Sequence, residues 1–407
     1  MPLFLPKFSA MGIDLSDLSI KVANLKKGSS QKMILESLGD GEIPKSFIND
    51  GIVDPEKESE VAQIIKETIN RARGKKINTR KAICSLPEES SFLKIIKVPR
   101  GQNEEMEEIL KWQIESNFPV KLKDVYFDWE IIEPNENKKT NSKKSNQEKS
   151  VFVSVAVIPR RIVNSYFSLF KKAGIEPIVF EIESMAAVRS LIGGYAQGPV
   201  IVLDIGKCGS GLTIFSKNTI FFTSHIEISG QLFNEAIARS LGVEIERAEE
   251  LKKEIGLLAI GKEKNINLNL KKSKPTISTI EDIRKKNKSE IKIDIEKGSE
   301  VDEVFNALVP ILTDFSEQVQ RYIDYFKNLE KTDFTPNGKI EKILLCGGDS
   351  KLIGLSDFLF SSLKIETQLG NPLINVFSSK KIAKNPSFWD FLPYTTAIGL
   401  AKRGILF

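Results

Sequence analysis

The sequence predicts an α/β architecture made of two similar halves, and three observations carry the prediction. Strand-like and helix-like patterns mix along both halves of the chain. One short template occurs twice, about 190 residues apart: an apolar strand ending in an acid, a turn of small residues, then another apolar strand. Its copies are Met11-Gly12-Ile13-Asp14-Leu15-Ser16-Asp17-Leu18-Ser19-Ile20-Lys21-Val22 and Val202-Leu203-Asp204-Ile205-Gly206-Lys207-Cys208-Gly209-Ser210-Gly211-Leu212-Thr213-Ile214-Phe215. Finally, 407 residues with 41% hydrophobic content suffice for two core-forming domains. The halves divide at 198/199, with a closing helix at 395–407.

In chain order, the first hairpin leads through 32–38 to a helix expected over 55–73. There Val61, Ile64, Ile65 and Ile69 share one face, and Gly74-Lys75-Lys76 makes the turn after it. Stretches 81–86 and 92–98 read as strands split by Pro87. A helix over 103–117 gathers Met106, Ile109, Leu110, Gln113, Ile114 and Asn117 on one side, with Trp112 beside them. Glu104, Glu105, Glu107 and Glu108 crowd its first turns, where the helix dipole favours negative charge, and Pro119 closes it. A strand at 125–132, a lysine- and asparagine-rich stretch at 133–150 expected to be mobile, and a strand at 152–158 follow. A helix at 162–173 stops at Gly174.

The second half opens with a strand at 200–203 that enters the second hairpin, and 219–222 is a further strand. Helices are expected at 231–240 and 245–253, joined at Gly242, before a second polar stretch at 261–298 read as a flexible insertion. The helix at 304–329 spaces Phe305, Leu308, Ile311, Leu312, Phe315, Val319, Tyr322 and Phe326 on one face. A strand at 342–345 ends in Gly347-Gly348 and leads to a helix, and a last helix covers 394–403.

Composition excludes several classes. No run of about 18 apolar residues is present to span a bilayer, and the first residues lack a basic leader, so no signal peptide is expected. The net charge of +5 is spread over polar stretches instead of one aromatic-studded face, which argues against nucleic acid. Cys84, Cys208 and Cys346 are far apart in or beside apolar runs and are expected to be buried, reduced thiols. His225, the single histidine, is expected to be structural or superficial.

The two hairpins are the candidate chemistry. A polyphosphate needs N–H donors, hydroxyls and a metal. Ser16, Asp17, Ser19 and Lys21 in the first copy, and Gly206, Lys207, Gly209 and Ser210 in the second, can supply such contacts. Asp14 and Asp204 would face each other and hold Mg²⁺ through water. Two ordinary hairpin turns are the plainer alternative. Gly347 and Gly348 would let a flat ligand touch the main chain, with Gly230 and Asp349 nearby in the same set. Glu249 and Lys252, three apart on one helix face, would bracket ribose and adenine, or else make a surface salt bridge. Ala- and Gly-rich helices around 181–188 and 396–401 would cross closely as a hinge, with Glu183 pointing at the cleft floor as the candidate catalytic acid.

Taken in order, these elements resemble the actin-like ATPase superfamily, and within it the PilM family of type IV pilus assembly proteins. The resemblance is carried by Gly12-Ile13-Asp14 with Ser19-Ile20-Lys21, by Gly230 through Ala248-Glu249-Glu250-Leu251-Lys252, and by Ala397-Ile398-Gly399-Leu400-Ala401. Trp112-Gln113, Phe118-Pro119, Asp124 and Asp128 add to it. It implies a two-lobed actin-like fold of duplicated RNase-H-like domains, with subdomains inserted at about 86–175 and about 230–335. It also implies ATP and Mg²⁺ as ligands. The implied role is a cytoplasmic adaptor with at most slow ATPase activity, peripheral on the inner membrane. Its implied partners are the N-terminal cytoplasmic peptide of a PilN-like inner-membrane protein, received near Met106, Ile109, Leu110 and Trp112, the pilus motor ATPase complex, and further copies of the chain. Two positions depart from the family pattern. Asp17 would repel phosphates and must turn outward or join the metal shell, and Asp349 replaces a third glycine. An FtsA-like cell-division ATPase, a metabolic kinase and a nucleotide-free scaffold on the same fold are the alternatives; the ending Lys402-Arg403-Gly404-Ile405-Leu406-Phe407 is too short for the first one's membrane anchor.

Overall fold

The computed structural model describes residues 10–406 apart from 29–31, 133–149, 194–197, 217–218, 259–297, 330–338, 380–381 and 383–386, so the two polar stretches lie almost wholly outside the described residues. The first predicted hairpin is β1 (Met11–Ser16) and β2 (Ser19–Lys27), with Ser16 opposite Ser19 across a two-residue turn. Strand β3 (Met33–Glu42), the small hairpin of β4 (Ile48–Asn49) and β5 (Ile52–Val53), and α1 (Glu58–Asn70) come next. Then follow β6 (Arg73–Gly74), β7 (Lys81–Leu86), β8 (Phe92–Pro99), α2 (Asn103–Asn117), β9 (Val125–Ile132) and β10 (Ser150–Pro159). Helix α3 (Arg160–Lys172), β11 (Glu176–Ile182) and α4 (Glu183–Leu191) complete the first half.

The second hairpin is β12 (Val200–Ile205) and β13 (Ser210–Ser216), followed by β14 (Thr219–Ile226), α5 (Gly230–Leu241) and α6 (Ile245–Glu254). Ser229 caps α5 by accepting the Leu232 N–H, and Gly242 ends it in the left-handed region at φ 65°. Helix α7 (Gly298–Leu329), β15 (Lys342–Cys346), α8 (Leu355–Leu363), β16 (Glu366–Leu369), β17 (Val376–Ser378) and α9 (Thr395–Leu406) close the chain.

The two halves repeat one topology. In the first sheet the order is β3-β2-β1-β7-β11, with the first three strands antiparallel and the last two parallel to β1. In the second it is β14-β13-β12-β15-β16, with the same directions. Each acid-ended strand, β1 or β12, therefore lies at the centre of its sheet, between its hairpin partner and a parallel neighbour. Strands β8, β10 and β9 continue the second sheet beyond β14, joined through the pair Phe222 and Lys94.

Burial explains how the layers stack. Val61 and Ile65 of α1, with Tyr166, Leu169 and Phe170 of α3, cover one face of the first sheet. Phe233 of α5 and Leu308, Leu312, Phe315 and Val319 of α7 cover the second sheet in the same way. Each such fully buried side chain contributes about 1.5–3 kcal/mol. The opposite faces carry the two small-residue helices: Ala397, Ile398 and Ala401 of α9 pack on the first sheet, and Ala187, Val188 and Leu191 of α4 on the second. Helix α9 can sit directly on β1 because Gly12 has no Cβ; one there would overlap the Ala397 carbonyl. Glu181, buried at the end of β11, binds both Arg189 of α4 and Arg403 of α9. The expected close helix crossing is present.

Helix α2 lies on the β8–β10–β9 strands, and here two expectations need correction. Met106 and Leu110 are buried in this subdomain's own core with Ile96, Val153 and Val155, so they present no surface to a peptide. Ile109 is half-buried, whereas Trp112 is 66% exposed. Cys208 also departs from expectation: it is exposed, while Cys84 and Cys346 are buried.

Candidate functional site: a cleft between two acid-ended hairpins

Asp14 stands opposite Lys21 within the first hairpin. Asp204 stands between Gly211 of β13 and Cys346 of β15. The two carboxylates are buried close enough together for the charge of Asp14 to act on Asp204. Burial pushes Asp14 up to about 6, against the opposing effects of the Ser85 hydroxyl and the Lys21 charge. Burial likewise raises Asp204 to about 7, and the negative charge of Asp14 adds to that rise. Glu183, the first residue of α4, is raised well above the usual carboxylate range by burial, then by Asp14, Glu89, Asp204 and Glu88. These acids therefore feel one another across the space between the two sheets.

Asp14 Oδ1 is buried and has no hydrogen-bond partner among the described residues. A buried acceptor left in that state is costly unless a cation or water meets it. The arrangement fits a hydrated divalent ion. No group of three or more histidine, cysteine, aspartate or glutamate side chains converges at metal-binding spacing among the described residues. An ion here would keep most of its water shell, as Mg²⁺ commonly does.

The first turn is now resolved. Ser16 and Ser19 hydroxyls lie 3.1 Å apart across it. Asp17 turns outward: its carboxylate accepts the N–H of Asp50 at 2.8 Å and of Gly51 at 3.0 Å, pinning the β4–β5 turn. It thus anchors a loop and does not line a phosphate. Burial lowers the Lys21 pKa against the pull of Asp40, Asp14 and Glu42, and the charge of Lys207 lowers it further. Lys21 and Lys207 therefore bring positive charge from both hairpins to one region.

The second turn is tied to α5. Gly206 donates to the Gly209 carbonyl at 2.9 Å, and the Gly206 and Lys207 carbonyls accept from Gly230 and Gln231. Gly209 packs on the His225 ring, which gives that histidine a structural role. Ser210 corrects its expectation: it is 1% exposed and donates to the Ile228 carbonyl at 2.6 Å, so its hydroxyl is not presented to a ligand. Gly347 adopts φ 86° and leaves no room for a Cβ against Asp204, whereas Gly348 faces open space. Gly348 is the glycine that leaves the main chain accessible.

The expected ribose and adenine bracket is arranged differently. Glu249 pairs with Lys253 at 2.5 Å. Lys252 is buried and binds Asp349 at 2.5 Å and the Gly230 carbonyl at 3.1 Å. The Glu249–Lys253 pair is a surface salt bridge and the Lys252–Asp349 pair a buried one, so neither residue of the expected bracket is free.

Glu88 and Glu89 join this group of buried acids, although the sequence pattern did not single them out. Glu88 is 6% exposed and accepts the Ser184 N–H at 3.2 Å, and Glu89 is raised to about 7 by burial and by Asp17, Glu88 and Asp50. The available signal was Leu86-Pro87-Glu88-Glu89, an acid pair at the end of a buried strand beside β1.

A second concavity lies on the α2 subdomain. A cavity of about 530 Å³ is lined by Lys111, Glu115, Lys121, Lys123, Phe127 and Arg160, among others. The Arg160 guanidinium stacks 4.1 Å from the Tyr126 ring centroid beside it.

The family model for type IV pilus assembly protein PilM matches residues 12–266, and the one for cell division protein FtsA matches residues 201–399. The solved PilM–PilN type IV pilus biogenesis complex contains a chain 22% identical to this one, with a TM-score of 0.74 over 98% of this chain and 99% of that one. The ethanolamine utilization protein EutJ from Carboxydothermus hydrogenoformans is 15% identical, with a TM-score of 0.50 over 98% and 91%. The fold is the two-lobed actin-like one.

Proposed function

The chain belongs to the type IV pilus assembly protein PilM family, and we propose that it is a nucleotide-binding adaptor within that machinery. In this reading Mg²⁺–ATP lies between the hairpins, and a short peptide of a PilN-like membrane protein docks on the α2 subdomain. The adaptor passes the state of that membrane protein to the motor complex from the cytoplasmic face of the inner membrane. Among the described residues, no helix is long and apolar enough to cross a membrane, so attachment would run through the partner.

The observation that carries the nucleotide reading is the pairing of Asp14 and Asp204 in one cleft, with Asp14 Oδ1 unpartnered. Asp14 and Asp204 would hold the hydrated metal, whose chemistry is to neutralise phosphate charge. Lys21, Lys207 and the Ser16 and Ser19 hydroxyls would supply the remaining phosphate contacts. Burial and the neighbouring acids disfavour the charged carboxylate of Glu183, which leaves it less available as a proton acceptor. That favours a scaffold that turns ATP over slowly.

The peptide reading rests on the cavity between α2 and β9. Lys111, Lys121, Lys123 and Arg160 give it a positive lining against the single acid Glu115, and exposed Trp112 lies on the same helix as Lys111 and Glu115. A nucleotide-free scaffold is the second reading, favoured by the Lys252–Asp349 pair.

Calorimetric titration with Mg²⁺–ATP separates the two. The wild-type chain should bind, and Asp204→Ala should abolish binding because the metal loses its second-half partner. Equal affinity in both proteins would remove the metal assignment.

A further inference from the structure

The Lys252–Asp349 pair does more than replace an expected contact. Three segments meet there: the start of α5 at Gly230, the last turn of α6 at Lys252, and the turn after β15 at Asp349. The Asp349 carboxylate packs on Gly230 so tightly that a Cβ at Gly230 would overlap it. The Lys252 ammonium then bridges that carboxylate, at 2.5 Å, to the Gly230 carbonyl, at 3.1 Å. The two side chains are only 6% and 16% exposed. Glu249, the other residue expected to face a nucleoside, is held by Lys253. Every charged group expected at the nucleoside end is thereby engaged within the protein. The phosphate end, by contrast, keeps an unpartnered acid oxygen on Asp14, and the main chain at Gly348, next to Asp349, stays open once the pair is drawn apart.

We propose that Asp349 and Lys252 form a latch across the nucleoside end of the cleft, so that a purine nucleotide binds only by drawing Lys252 away from Asp349. This rests on the nucleotide reading above and specifies how that site is controlled. An intact desolvated pair costs little, but separating it leaves a buried charge without its partner. The latch therefore lowers affinity for the nucleoside while leaving the hairpins free to take a polyphosphate. Replacing Asp349 with glycine removes the acid and opens the space above Gly230, and Lys252 becomes available to the ligand.

The test compares wild type with Asp349→Gly for binding of a fluorescent ATP analogue and of inorganic tripolyphosphate, each with Mg²⁺. Asp349→Gly should bind the ATP analogue at least tenfold more tightly, with tripolyphosphate affinity changed less than twofold. Because Asp349→Gly leaves Lys252 buried without its partner, the double variant Asp349→Gly with Lys252→Met is measured alongside. It carries neither charge, and it should also bind the analogue more tightly than wild type. Equal analogue affinity in all three proteins overturns the latch and leaves the nucleotide reading standing. Absence of analogue binding in all three overturns both. A parallel gain for tripolyphosphate also overturns the latch, since the effect would then not be confined to the nucleoside end.

Discussion

Gly399 of α9 lies against the carbonyl of Ala186 in α4 so closely that a Cβ on the glycine would overlap that oxygen. The two helices belong to different sheets, so this contact sets how near the halves come and how wide the cleft between Asp14 and Asp204 can be. Gly399→Val should force the helices apart. Thermal melting should show a loss of about 1–3 kcal/mol or more, the cost of overpacking a tight interior. An unchanged midpoint would show that the crossing is not a fixed contact.

The crowded acids make stability depend on pH in a defined direction. Asp204 is raised to about 7 and Asp14 to about 6, from ordinary values near 3.8. Between those limits the folded protein holds protons that the unfolded chain has released. Their stabilising contribution is complete below about pH 4 and is lost as pH rises through about 7. The unfolding free energy from denaturant titration should therefore fall from pH 5 to pH 8 in the absence of metal, by about 2–4 kcal/mol summed over the pair at most. Asp204→Asn should flatten this slope, and a slope unchanged in that variant would count against the assignment.

On the α2 subdomain, stability and partner binding should separate by residue. Leu110 is fully buried, so Leu110→Ala should cost about 2–5 kcal/mol. Trp112→Ala removes an exposed side chain and should leave the melting temperature nearly unchanged while weakening binding of a partner's N-terminal peptide several-fold. Equal peptide binding by wild type and Trp112→Ala would move the docking surface elsewhere.

Much of the fold was legible because local pattern and long-range order agree. The duplicated hairpins, α1, α2 and α7 all follow apolar spacing, and the small-residue helices announced their crossing. Strand β11 was missed: Pro177 and Glu181 interrupt its apolar run, and both are tolerated because β11 is an edge strand pairing with β7 alone. Strands β16 and β17 are too short, at 4 and 3 residues, to carry a period.

At the site, the sequence named the residues better than their roles. Asp14, Asp204 and Glu183 lie close enough to raise one another's pKa, and Lys21 feels both Asp14 and Lys207. Asp17, Ser210 and Lys252 are spent on internal contacts with Gly51, Ile228 and Asp349, which lie 34, 18 and 97 residues away in the chain. Spacing along a strand or helix carries no information about such partners. Met106 and Leu110 failed for a different reason: the apolar face of α2 is already covered by β8 and β10.

The central claim is that the two hairpin acids share one metal-bound triphosphate. A crystal structure grown with Mn²⁺ and a non-hydrolysable ATP analogue tests it most directly, through the anomalous signal of the metal. The account predicts one strong peak between the carboxylates of Asp14 and Asp204, bridged to them by water and touching the phosphate tail. A peak bound elsewhere, or nucleotide seated outside this cleft, would contradict it.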